Sequence, residues 1–151
     1  MSLQAKLEED LRTAMREGNT LSRSVIRYLR SEIHNEEIDK QTVLDDEGII
    51  TVLSRQVQRH RDSIEAFTNG NRHDLVEKEK AELSIVLQYL PEQMSQEEIV
   101  AVVERTIQEV SARGPQDMGR VMARVMSQVR GKAEGRQVSA AASEILNRLA
   151  E

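Results

Sequence analysis

Hydrophobic positions along the 151-residue chain recur at intervals of three and four, the period at which side chains return to one face of an α-helix. Leu3, Leu7, Leu11 and Ala14 keep this spacing until Gly18-Asn19, which predicts a first helix near residues 3–17. After Thr20, Leu21, Val25, Leu29 and Ile33 repeat every four residues, Ile26 widens the stripe, and the period fades near Asp39-Lys40. Asp45 and Asp46 are suited to cap a long third helix with an inner face of Ile49, Leu53, Val57, His60, Ile64 and Phe67. That helix is expected to end at Asn69-Gly70, the glycine taking the left-handed C-cap conformation. Leu75, Glu79, Leu83, Val86/Leu87 and Leu90 mark a fourth helix, stopped by Pro91.

Pro91 is the expected domain boundary, because it cannot continue the helix and Ser95-Gln96-Glu97-Glu98 starts a new one with a capping-box pattern. Ile99, Val102/Val103, Ile107 and Val110 form the fifth helix, closed by Gly114-Pro115. Met118, Val121/Met122, Val125/Met126 and Val129 form the sixth, and Gly131 to Gly135 is a glycine-bracketed turn. Val138, Ala142, Ile145 and Leu149 form the seventh, with Ser139 expected as its cap. Alternation of the strand type is missing. The expected fold is all-α: a four-helix domain over 1–91 and a small three-helix tail domain over 95–151.

Composition narrows the chemistry. Tyr28, Tyr89 and Phe67 are the only aromatic residues, so the core must be aliphatic, as between packed helices. With no cysteine there is no disulfide, thiolate metal site or cysteine nucleophile. Neither an apolar run of membrane-spanning length nor an apolar N-terminal stretch occurs, and the expectation is a soluble cytoplasmic protein with no membrane partner. His34 and His73 sit in polar stretches, and His60, on an apolar stripe, reads as a packed histidine rather than a ligand. The spacings support no metal centre and no cofactor. The charges of Glu77-Lys78-Glu79-Lys80-Ala81-Glu82, including the Glu79–Glu82 pair, read as a solvated helix face.

The net charge of −5 conceals one basic window. Within 113–136, Arg113, Arg120, Arg124, Arg130, Lys132 and Arg136 face only Asp117 and Glu134, a local net of +4. Gly114 and Gly119 have P-loop spacing, but Arg120 stands in place of the phosphate-binding lysine, Val121 in place of the Mg²⁺-ligating hydroxyl, and no strand precedes them. What remains is two helix starts after glycine-containing turns with cations nearby, an arrangement that attracts phosphates. The scarcity of aromatic residues turns this towards structured RNA read by shape rather than single strands read by stacking. The plainer alternative is that the glycines end helices and the arginines keep a small domain in solution.

Asp62-Ser63-Ile64-Glu65-Ala66-Phe67, Arg72, Asp74-Leu75, Glu79, Ala81-Glu82-Leu83 and Tyr89-Leu90-Pro91-Glu92-Gln93-Met94-Ser95 resemble the YqeY family closely. So do Asp117-Met118-Gly119-Arg120-Val121-Met122, Gly131 and Gly135-Arg136, while Glu134 and Ser139 stand where the family tends to have Asp and Asn. The family resembles a free-standing version of the C-terminal helical and tail domains of GatB, a subunit of the glutamine-dependent amidotransferase acting on mischarged tRNA. The resemblance implies RNA recognition by Gly119, Arg120, Gly131, Lys132, Gly135 and Arg136; Arg113, Arg124 and Arg130 are added from charge. No catalytic residues are expected.

The favoured expectation is a noncatalytic module that binds tRNA or associates with amidotransferase subunits or an aminoacyl-tRNA synthetase. One alternative is a component of carbon–nitrogen ligase activity with glutamine as amide donor, active only with partner subunits. The other is a helical protein–protein adaptor using the Met118, Met122 and Met126 stripe.

Overall fold

The computed structural model describes residues 1–151 and contains no strand. Seven α-helices follow in order: α1 (Leu3–Glu17), α2 (Thr20–Lys40), α3 (Asp46–Asn69), α4 (His73–Leu87), α5 (Gln96–Glu109), α6 (Met118–Val129) and α7 (Gly135–Leu149), with a 3-10 turn at Pro115–Asp117 before α6. They form two compact units, Met1–Pro91 and Glu92–Glu151.

In the first unit the aliphatic stripes meet as their periods require. Leu7 and Leu11 of α1, Leu29 and Ile33 of α2, Leu53 and Val57 of α3, and Leu83 and Val86 of α4 are all buried in one core. Short polar residues set the helix starts: Ser2, Asn19 and Asp45 each accept the N–H three residues on, satisfying donors the helix leaves open. Gly18 (φ +67°) ends α1 in the left-handed conformation. At the end of α3 that conformation falls one residue later than expected. Gly70 has φ −87° and still donates to Ala66 O, and Asn71 takes φ +56°, which asparagine tolerates. Asp46 is a helical residue rather than a cap, and its Oδ1 accepts the Leu3 N–H at 3.0 Å. Tyr89, just beyond α4, is buried; its hydroxyl donates to Asp10 Oδ2 at 2.5 Å, and Lys6 Nζ lies 5.4 Å from its ring centre.

The second unit has its own core, with Ile99 and Val103 of α5, Val121 and Val125 of α6, and Val138, Ala142 and Leu146 of α7 buried together. The Ser95–Glu98 capping box forms with both of its hydrogen bonds. Met118, Met122 and Met126 are partly buried against this core, which takes away the main support for an exposed methionine docking stripe. α7 starts at Gly135 after Glu134, so Ser139 lies within the helix and does not cap it. Gly135, Arg136 and Gln137 are exposed and carry no apolar signal, which is why the hydrophobic pattern places the start too late.

Candidate functional site

The twelve residues of α6 separate the basic window into two turns. At 1.5 Å per residue the helix is about 18 Å long, so Arg113 and Arg120 belong to its N-terminal end and Arg130 and Lys132 to its C-terminal end. The basic window is thus divided between the turns at the two ends of α6.

At the N-terminal end the Arg120 and Arg124 side chains are engaged within the protein, whereas Arg113 is exposed and bonds only through its backbone N–H. Asp117 accepts the Arg113 N–H at 2.8 Å and Arg120 Nη2 at 2.9 Å, and Arg120 Nη1 donates to Val110 O at 3.1 Å, tying α6 to the end of α5. Arg124 reaches Glu109 Oε2 at 3.4 Å. The helix start here already carries its own carboxylate. The Arg113 N–H, followed by the Arg120 guanidinium, holds the Asp117 carboxyl below its ordinary value of 3.8. A lowered folded-state value adds stability above pH 3.8 that is lost as pH falls through the folded value. Glu98 is likewise held low by the Ser95 N–H, then by its side chain, and titrates in the same acid window. Acid titration of the second unit, followed by circular dichroism, should therefore show a shallower loss of stability for Asp117→Asn and the shallowest for Asp117→Asn with Glu98→Gln. Identical acid limbs in all three proteins would contradict this assignment.

At the other end, Gly131 is buried with φ +78°, and its carbonyl accepts Gln93 Nε2 at 2.7 Å. Lys132 O accepts the Met94 N–H at 2.8 Å, so the Pro91–Ser95 motif and the Gly131–Gly135 motif meet in one hydrogen-bonded turn. The Arg130 and Lys132 side chains are exposed and make no ion pair. Arg136 is in the first turn of α7, whose Glu134 N-cap position supplies no side-chain cap. Gly119 and Gly135 have no atom within 4 Å of where a Cβ would stand. The glycines thus divide. Gly131 is fixed by backbone conformation, whereas Gly119 and Gly135 are open to solvent. Gly119→Ala should leave stability unchanged or raise it by up to about 1 kcal/mol. Gly131→Ala should cost about 1–2 kcal/mol. Urea denaturation of the two variants compares them directly.

The first unit holds a constellation that sequence spacing missed. His60 Nδ1 lies 2.6 Å from Glu79 Oε2 and 3.9 Å from Glu82 Oε2, beside a cavity of about 300 Å³. The Glu79–Glu82 pair is not a solvated face: both carboxylates are largely buried against α3. His60 is packed, as expected, but against two acids. The available signal was a histidine on the apolar stripe of α3 opposite a glutamate on that of α4.

The fold and these surfaces define an all-helical protein of two units, a four-helix unit followed by a three-helix unit bearing basic turns at both ends of its middle helix. Residues 4–146 match the family described as Yqey-like protein, and the chain belongs to that family. It is 33% identical over 130 residues to altered inheritance of mitochondria protein 41, mitochondrial, of Pyrenophora tritici-repentis, covering 85% of this chain and 71% of that one. The Lachancea thermotolerans protein of the same name is 38% identical over 114 residues, 74% of this chain and 61% of that one. The one from Eremothecium gossypii is 32% identical over 125 residues, 80% and 68%. These mitochondrial names overturn the cytoplasmic expectation. Mitochondrial targeting uses amphipathic, arginine-rich segments and needs no apolar N-terminal stretch, so the lack of one does not decide the compartment. No helix is long and apolar enough to cross a membrane.

Proposed function

We propose that the chain is a noncatalytic tRNA-binding or tRNA-amidotransferase-associated module whose second unit meets RNA backbone through the turn between α6 and α7. The observation that carries this reading is the pair of exposed, unpaired cations Arg130 and Lys132 on a turn held by the Met94 and Gln93 hydrogen bonds. A pinned turn presents charge with little ordering cost on binding. Arg136 and the start of α7, which lacks a side-chain cap, add positive potential where a phosphate can approach the Gly135 backbone. The likeness of these motif positions to the GatB tail points to tRNA as the RNA class. Arg120 and Arg124 contribute less, because each already serves an internal acceptor.

The test is titration of the full chain with tRNA at several salt concentrations. The combined Arg130→Gln, Lys132→Gln, Arg136→Gln variant is compared with Arg120→Gln, Arg124→Gln. Loss of affinity and of salt slope in the first variant is expected. Absence of binding by the unaltered chain at low salt, or equal effects of the two variants, would sink the assignment.

A further inference from the structure

The first unit contains a ligand set with no part in the RNA reading. His60 on α3 and Glu79 and Glu82, almost one turn apart on α4, each place one ligand atom within 4.8 Å of the other two. Their side chains are only 14%, 19% and 22% exposed. No lysine or arginine stands within ion-pair distance of either glutamate, and Arg59, at the same cavity, donates instead to Tyr28 Oη at 2.9 Å. Two partly buried carboxylates therefore face one imidazole with no fixed positive charge paired to either. Like charges brought together out of water are costly unless a further positive charge joins them.

A second observation comes from Gln56, one turn before His60 on α3. It is 5% exposed, its side-chain amide has no hydrogen-bond partner in the protein, and it lines the same cavity. Buried amides are normally satisfied. The Gln56 amide opens onto the cavity beside the cluster, where its carbonyl oxygen is available to a cation or to a water held by one.

We propose that His60, Glu79 and Glu82 bind one divalent transition-metal ion of the zinc class, with Gln56 as a further oxygen donor, direct or through water. The donor types decide the class. One imidazole nitrogen with carboxylate oxygens suits zinc, cobalt, manganese or ferrous iron, whereas magnesium and calcium take oxygen alone. Ligand atoms about 2.1 Å from a common tetrahedral ion stand roughly 3.4 Å apart. The observed 2.6 and 3.9 Å bracket that value, so small side-chain rotations suffice. The cavity at Tyr28 and Ser63 leaves room for water or a small exogenous ligand on the ion. Sequence spacing gave no hint because the donors come from two helices, 19 residues apart for His60 and Glu79.

The experiment uses the full chain stripped with chelator, titrated with Co²⁺ and Zn²⁺ by calorimetry and by the visible absorption of bound cobalt. Thermal unfolding is followed with and without Zn²⁺. Expected are one equivalent per chain, cobalt absorption that Zn²⁺ abolishes, a raised melting temperature, and affinity weakened by at least about tenfold in Glu82→Gln and His60→Gln. The Glu82 side chain makes no hydrogen bond in the protein, so Glu82→Gln preserves the fold, and its melting curve without metal verifies this. No saturable Co²⁺ or Zn²⁺ binding by the unaltered chain overturns the proposal. So does binding that Glu82→Gln leaves unchanged, or equal affinity for Mg²⁺. The salt-dependent tRNA titration is independent of every one of these outcomes.

Discussion

Leu146→Ala unfolds the second unit at denaturant concentrations that leave Met1–Pro91 folded. Leu146 is fully buried in the core of α5, α6 and α7. Truncating a buried leucine costs about 2–5 kcal/mol, from lost transfer free energy and the cavity left behind. A unit of 60 residues is stable by only about 3–9 kcal/mol at ordinary values per residue. One substitution therefore removes most of what holds it. The aromatic inventory supplies the measurement: Tyr28 and Tyr89 both lie in the first unit and there is no tryptophan, so tyrosine fluorescence reports that unit alone while far-ultraviolet circular dichroism reports both. Urea titration should show the dichroism curve splitting, with an early transition absent from the tyrosine signal. Leu149→Ala, at a residue 51% exposed, is the control and should shift stability by no more than about 0.5 kcal/mol. Coincident, equally displaced curves from both probes would refute independent folding.

The Arg130→Gln, Lys132→Gln, Arg136→Gln variant is the second large effect. Each phosphate neutralised contributes about 0.7–0.9 to the slope of log affinity against log salt, so three lost contacts lower the slope by about 2–3. Near 0.1 M salt the same terms correspond to a loss on the order of 10²- to 10³-fold. Arg120→Gln, Arg124→Gln should lose far less affinity but more stability, because Arg120 links Asp117 to the Val110 carbonyl. Opposite rankings in affinity and in stability distinguish RNA contacts from internal ties. A low-salt affinity unaffected by the triple variant would leave the α6–α7 turn without its assigned role.

Helix existence was legible because each amphipathic stripe is periodic over several turns. Ends were less so. At α3 the left-handed residue is Asn71 rather than Gly70, a choice between adjacent permissive residues that local pattern cannot make. At α7 the first turn is solvent-facing, so hydrophobic periodicity begins only at Val138 while the helix begins at Gly135.

The candidate sites separate along the same line. Net charge, the absence of cysteine, the local +4 window and the family motifs are properties of residue identity and order, and the chain alone determined them. Their spatial meaning was decided by the fold. A 12-residue helix places the two ends of the basic window about 18 Å apart, and internal acceptors engage Arg120 and Arg124. Antiparallel packing of α3 against α4 sets His60 against Glu79 and Glu82, residues that linear spacing keeps well apart. Helical periodicity is a local constraint encoded over a few residues. Which charges are paired, buried or free depends on neighbours from distant segments, and only tertiary packing brings those together.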